Sequence, residues 1–91
     1  MAIFINTDGT ESNIKAKTGK FTLKELSSLL AAIDLIILRL NGGRVMIADD
    51  SAASRGLPIN ARATDIYMRS IDFLDMGIFG SAIVASAEEV G

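Results

Sequence analysis

Ile33-Asp34-Leu35-Ile36-Ile37-Leu38-Arg39-Leu40, then Asn41-Gly42-Gly43, then Arg44-Val45-Met46-Ile47-Ala48-Asp49-Asp50 is the run that decides the fold, and it reads as a β-hairpin. Periodicity alone leaves the Ile- and Leu-rich first arm open between helix and strand. The Asn-Gly pair settles it, because tight hairpin turns need residues that tolerate positive φ. A second apolar run, with Val45 and Ile47, follows at once as a partner strand should. Two registers are available. A two-residue turn sets Arg39 directly opposite Arg44, where the charges repel and would form a local anion site. A three-residue turn that includes Gly43 pairs Leu40 with Arg44 and Arg39 with Val45, and puts the arginines on opposite faces. The second is preferred, since like charges across a strand pair destabilise it and glycine suits the turn.

Outward from the hairpin, the chain alternates strand and helix signals. Ala2 to Asn6 reads as a strand with both faces covered, and Thr7-Asp8-Gly9-Thr10 as a turn. Glu11 to Lys17 reads as a strand with Ile14 and Ala16 on one side and Asn13, Lys15 and Lys17 on the wet side. Thr22-Leu23-Lys24-Glu25 fits a capping box, and Phe21 with Leu26 fits a hydrophobic staple. A helix follows with Leu23, Leu26, Leu29, Leu30 and Ile33 as its apolar stripe, ending near Ala31 or Ala32. After the hairpin, Asp49 to Ser54 reads as a loop, and Pro58 keeps Gly56 to Ile59 extended. Asn60 is a good N-cap for a second helix. Ala63, Ile66, Tyr67 and Ser70 share one of its faces, and Arg62, Asp65 and Arg69 the other. Ser70 to Gly77 reads as a connection packed on the core edge, Ile78 to Ser86 as the last strand, and Ala87 to Gly91 as a frayed tail. The expected fold is α+β: one domain, residues 1–91, with an antiparallel sheet of about five strands and two helices packed on it.

Ninety-one residues suffice for one modest core, yet 49% of them are hydrophobic. A domain this small has limited interior. An exposed apolar patch covered by a second copy or a partner is therefore expected, and with it a homo-oligomer, a homodimer first. No apolar run reaches the ~18 residues of a membrane span. The start, Met1-Ala2-Ile3-Phe4-Ile5, lacks the basic region of a signal peptide, so an intracellular protein is expected. A net charge of −2 gives no general pull toward nucleic acid, and no direct nucleic-acid contact is expected.

The chain has no His, Cys or Trp, which removes imidazole bases, Cys–His nucleophiles and nearly all zinc sites. Carboxylates remain for acid–base work. Asp49-Asp50, joined by Asp72 and Asp75, would be the ligands of a Mg²⁺-dependent phosphodiesterase, but adjacent aspartates after a strand are ordinarily solvated turn residues. No cofactor and no metal are expected. Anion binding is the sharper expectation. The start of the second helix at Asn60 offers free N–H groups, and Arg55 and Arg62 flank it. Tyr67 would lie near a base. Lys15, Lys17, Lys20 and Lys24 form a second positive patch that would suit nucleic acid or an acidic protein, with Lys15 and Lys17 as the candidate partner contacts. Without interleaved aromatics such a cluster is ordinarily a solvated face.

The order Thr22-Leu23-Lys24-Glu25-Leu26, Leu40-Asn41-Gly42-Gly43-Arg44-Val45-Met46-Ile47 and Gly56-Leu57-Pro58-Ile59-Asn60-Ala61-Arg62-Ala63-Thr64 resembles a small domain family of unknown function found in bacteriophages and mobile elements. The resemblance covers residues 20 to 86, with Gly56-Leu57-Pro58-x-Asn60 its most specific part. It implies a phage-type accessory protein in the host cytoplasm. The function expected is that of a non-enzymatic binding protein that inhibits a bacterial defence system. It would act as an anti-CRISPR type inhibitor of a defence protein, or as a sponge for a nucleotide signal. The alternative is a structural or assembly oligomer of a phage or mobile element.

Overall fold

The computed structural model describes residues 2–70 and 77–90. The chain runs β1 (Ala2–Ile5), β2 (Glu11–Ile14), α1 (Leu23–Leu30), β3 (Leu35–Arg39), β4 (Arg44–Asp49), α2 (Ala61–Ser70) and β5 (Ala82–Ser86). The five strands form one antiparallel sheet in the order β2-β1-β5-β4-β3. This is the α+β arrangement expected. The strand made last lies in the middle, between the β1–β2 and β3–β4 hairpins. No helix among the described residues is long and apolar enough to cross a membrane.

The β3–β4 hairpin adopts the three-residue turn. Arg39 pairs with Val45, and Leu40 N–H donates to the Arg44 carbonyl at 2.9 Å. Gly42 and Gly43 both take positive φ, 75° and 72°, which explains the two glycines. β4 follows with Val45 to Asp49 all buried.

Strand alternation sorts the core into two layers. Ala2, Phe21, Leu26, Leu30, Val45, Ile47, Ile83 and Ala85 pack under α1 on one face. Ile5, Met46, Ala48, Ala63, Ile78, Ala82 and Val84 pack on the other face, under α2. The sheet is thus covered by one helix on each side, which is why β4 and β5 are apolar at nearly every position.

Helix α1 starts as its cap predicts: Thr22 Oγ1 accepts the Glu25 N–H at 3.1 Å. The other half of the expected capping box is replaced. The Glu25 carboxylate accepts the Lys17 N–H at 3.3 Å, tying the helix start to the segment after β2. Phe21 and Leu26 are fully buried, as a staple requires. The helix stops at Leu30 because Ala31 turns left-handed, with φ 50°. Of the expected stripe only Leu26 and Leu30 are buried; Ile33 falls beyond the helix and is 89% exposed.

Several boundaries differ from the sequence reading: β2 stops at Ile14, short of Lys17, and β3 starts at Leu35 and not at Ile33. Asp49 ends β4 and is buried, since Ser51 N–H and Oγ both bond its Oδ1 at 2.9 Å and Arg55 pairs with Oδ2. The last strand begins at Ala82 because Gly80 has φ 74° and donates to the Pro58 carbonyl instead of a ladder partner. The tail is not frayed through Val90. Ala87–Glu89 form a 3-10 turn with a reciprocal Ser86–Glu89 capping box, and Phe21 N–H donates to the Glu89 carbonyl at 2.6 Å. The connection assigned to Ser70–Gly77 lies, for residues 71–76, outside the described residues.

Asn60 is the N-cap of α2 and is completely buried. Its Oδ1 accepts the Ala63 N–H at 3.1 Å, while Nδ2 donates to the Ile5 carbonyl at 3.1 Å and to the Gly80 carbonyl at 3.0 Å. Asn60→Ala is expected to cost about 2–4 kcal/mol, combining a lost cap with two buried carbonyls left unsatisfied. Asn60→Asp keeps the cap oxygen but removes the amide donors, so denaturant unfolding of the two variants separates the contributions. An aspartate variant as stable as the parent would mean that the amide donors contribute nothing.

The Ser86 N–H donates to the Glu89 carboxylate and, as the largest of several causes, holds its pKa below the usual glutamate value. A carboxylate whose pKa is lowered by folding contributes stability above its unfolded pKa of about 4.3, and loses it as pH falls through the lower folded value. Acid titration is therefore expected to release the C-terminal turn below that range, seen as amide shifts at Phe21 and Ser86. Glu89→Gln is expected to remove the pH dependence.

Candidate functional site

Alternation in β4 puts Arg44 on the same face as Met46 and Ala48, the face that α2 covers. Helical spacing puts Arg62 and Arg69, seven residues apart, on one flank of α2. These positions converge. Arg44, Arg62 and Arg69 line one groove of about 410 Å³ between α2 and strands β1 and β5. Ile3, Ile5, Ile66 and Val84 supply its apolar floor, and Glu11, Asn41 and Ser70 complete the wall. The volume lies within the usual range for small-molecule sites.

The arginines are held in place by weak partners. Arg62 Nε meets Glu11 Oε2 at 2.8 Å, which is the main cause raising the Arg62 pKa, so this guanidinium stays charged at any working pH. Asp65 Oδ2 lies 3.6 Å from the Arg62 guanidinium and 3.0 Å from Arg69 Nε. Arg44 Nε donates to the Asn41 carbonyl at 3.4 Å. Exposed ion pairs of this kind are worth about 0–1 kcal/mol each. A ligand phosphate can therefore compete for these guanidinium groups at small cost, and arginine forks match phosphate bidentately. The Asn41 N–H donates to Ser70 Oγ at 3.3 Å and ties the end of α2 to the hairpin turn at one end of the groove.

The sequence-predicted residues are not brought together. Arg62 lies in the groove. Arg55 turns to Asp49, whose side chain is only 3% exposed. Asp49 stands one residue from the Ala48–Ala82–Ile5–Glu11 row, three strands from Glu11, or about 14 Å at normal strand spacing. Asn60 spends its side-chain amide on backbone groups, so its oxygen takes the Ala63 N–H that an anion would have used. Tyr67 is half-buried against the core under α2 and does not line the groove. Lys15 and Lys17 are exposed just after β2. Lys17 also shares a second depression with Lys24, Glu25 and Leu29. Among the proposed metal ligands, Asp49 is engaged by Arg55 and Ser51, and Asp72 and Asp75 lie outside the described residues. No group of three His, Cys, Asp or Glu side chains placed to hold a metal occurs among the described residues.

Arg44 and Arg69 were missed as site residues. The i to i+7 spacing of Arg62 and Arg69 was a usable signal. The position of Arg44 beside them was not, because it depends on the strand order. No family model, curated protein or solved structure matches this chain.

Arg55 acts on stability. Arg55→Ala leaves the Asp49 carboxylate buried with its Ser51 bonds but without a cation. The expected loss is about 1–3 kcal/mol, below the fully buried range because Arg55 itself is 42% exposed. Urea unfolding at neutral pH measures it, and adding Asp49→Asn to Arg55→Ala is expected to restore part of the loss.

Proposed function

We propose that the protein is a small non-enzymatic binding module that takes a phosphate-bearing ligand of the nucleotide class in the groove beside α2. The observation that carries this reading is the gathering of Arg44, Arg62 and Arg69 on the wall of one groove with an aliphatic floor. The arginines suit phosphate oxygens, and Ile3, Ile66 and Val84 suit the flat face of a base or a ribose edge. With the resemblance of residues 20 to 86 to a phage and mobile-element family, the role becomes that of a sponge for a nucleotide signal of bacterial defence, acting in the host cytoplasm. A second reading, inhibition by direct contact with an acidic defence protein, is favoured by the exposed Lys15 and by Lys17 and Lys24, which share one depression with exposed Leu29.

The test is native mass spectrometry with a panel of linear and cyclic nucleotides, followed by calorimetry on any that bind. A nucleotide mass is expected on the protein. Arg44→Ala and Arg62→Ala are each expected to weaken it about tenfold or more, the value of one charged hydrogen-bonding partner. Glu11→Gln, which frees Arg62, is expected to tighten it, and Arg55→Ala to leave it unchanged. No mass gain with any nucleotide overturns the sponge reading. A protein target whose complex is broken by Lys15→Glu and Lys17→Glu would then establish the second.

A further inference from the structure

The two edges of the sheet differ. On β2, Glu11, Ser12 and Asn13 are exposed, and Lys15 and Lys17 follow. Polar and charged side chains of this kind discourage pairing with another strand. β3 has no such guard along Leu35-Ile36-Ile37-Leu38, and no strand among the described residues pairs with its outer side. Ile37 is 44% exposed and Ile33, just before the strand, 89% exposed.

The main chain sets the parity of this edge. Leu40 N–H donates to the Arg44 carbonyl and Asp50 N–H to the Asp34 carbonyl, each at 2.9 Å. Bonding directions alternate along an antiparallel strand. The even-numbered residues of β3 therefore face β4, and the N–H and C=O groups of Leu35, Ile37 and Arg39 point out of the sheet.

We infer that β3 pairs antiparallel with β3 of a second copy, about a two-fold axis at Ile37, to make one continuous sheet across a homodimer. This register sets Ile37 against Ile37 and Leu35 against Arg39, and it uses the outward groups of all of them. Centring the axis on Ile36 instead carries Arg39 past the partner strand to Ile33. The charges select the direction. Antiparallel pairing sets each Arg39 opposite Leu35 and keeps the two arginines apart, whereas in-register parallel pairing stacks Arg39 on Arg39. Ile33 lies just before β3, beyond the paired residues, and Ile37 and Arg39 border a groove of about 580 Å³ that Arg44, Val45 and Val90 also line. Such an interface is self-complementary and closes at two copies. The pairing edge, Leu35–Arg39, contributes no residue to the arginine groove beside α2, so nucleotide binding and dimerisation can fail independently.

The test is light scattering on the full chain across a wide concentration range. A dimer is expected, and Ile37→Lys is expected to make it a monomer with unchanged circular dichroism. The chain has no cysteine, so single cysteines report the register. Ile37→Cys is expected to oxidise to a cross-linked dimer, because facing Cα atoms of a bonded pair lie about 5.5 Å apart, within disulfide reach. Ile33→Cys is expected to stay uncross-linked. The cysteine pair decides the matter even if Ile37→Lys fails to fold. A monomer at every concentration, a dimer that Ile37→Lys leaves intact, or cross-linking at Ile33 in preference to Ile37 would each overturn the inference.

Discussion

Asn60 ties the start of α2 to two backbone segments that lie far from it in sequence. Its amide reaches the end of β1 through the Ile5 carbonyl and the approach to β5 through the Gly80 carbonyl, and its oxygen caps α2. A buried amide with donors and acceptor all used is strongly position-specific, because any shift leaves a polar group unpaired in the core. The bonds from Asn60 N–H to the Ile78 carbonyl at 2.7 Å and from Gly80 N–H to the Pro58 carbonyl at 2.9 Å extend the same fixture. Most of the Gly56-Leu57-Pro58-x-Asn60 run is accounted for by this. Gly56 takes φ 77°, Leu57 N–H bonds the Ala52 carbonyl, the Pro58 carbonyl receives Gly80, and Asn60 closes the junction. The segment whose pattern is most specific in the sequence is thus spent on folding.

That fixture positions the arginine groove. With its N-cap locked to β1 and its last residue bonded to Asn41, α2 is pinned at both ends over β4 and β5. It does not reach the outer part of β1, and the uncovered strip beside it becomes the groove. The three arginines then face a cleft whose depth is set by the sheet and whose length is set by the helix. Glu11 and Asp65 hold the Arg62 and Arg69 guanidinium groups through exposed ion pairs, which a phosphate must displace at small cost.

Local signals in the sequence proved readable where the physics is local. The Asn41-Gly42-Gly43 turn and its register followed from charge repulsion and positive φ, and the Thr22 cap and Phe21–Leu26 staple from positions a few residues apart. The features that escaped depend on distant partners. Glu25 left its capping box for Lys17 N–H, the Asn60 amide found two carbonyls far along the chain, and Arg55 found Asp49 where a free arginine was expected. Arg44 joined Arg62 and Arg69 only because β5 lies between β1 and β4, an order that no short window encodes.

The central place of β5 also bears on how the chain is made. Of the strands it leaves the ribosome last, yet β1 and β4 both need it as their neighbour. Until Ala82–Ser86 emerge, the two earlier hairpins have no strand to join them, and each presents an open, apolar flank. The sheet therefore cannot close until β5 has emerged. Assembly of this domain is a late, all-at-once event driven by contacts of long sequence separation, and the growing polypeptide must be shielded from its neighbours until then.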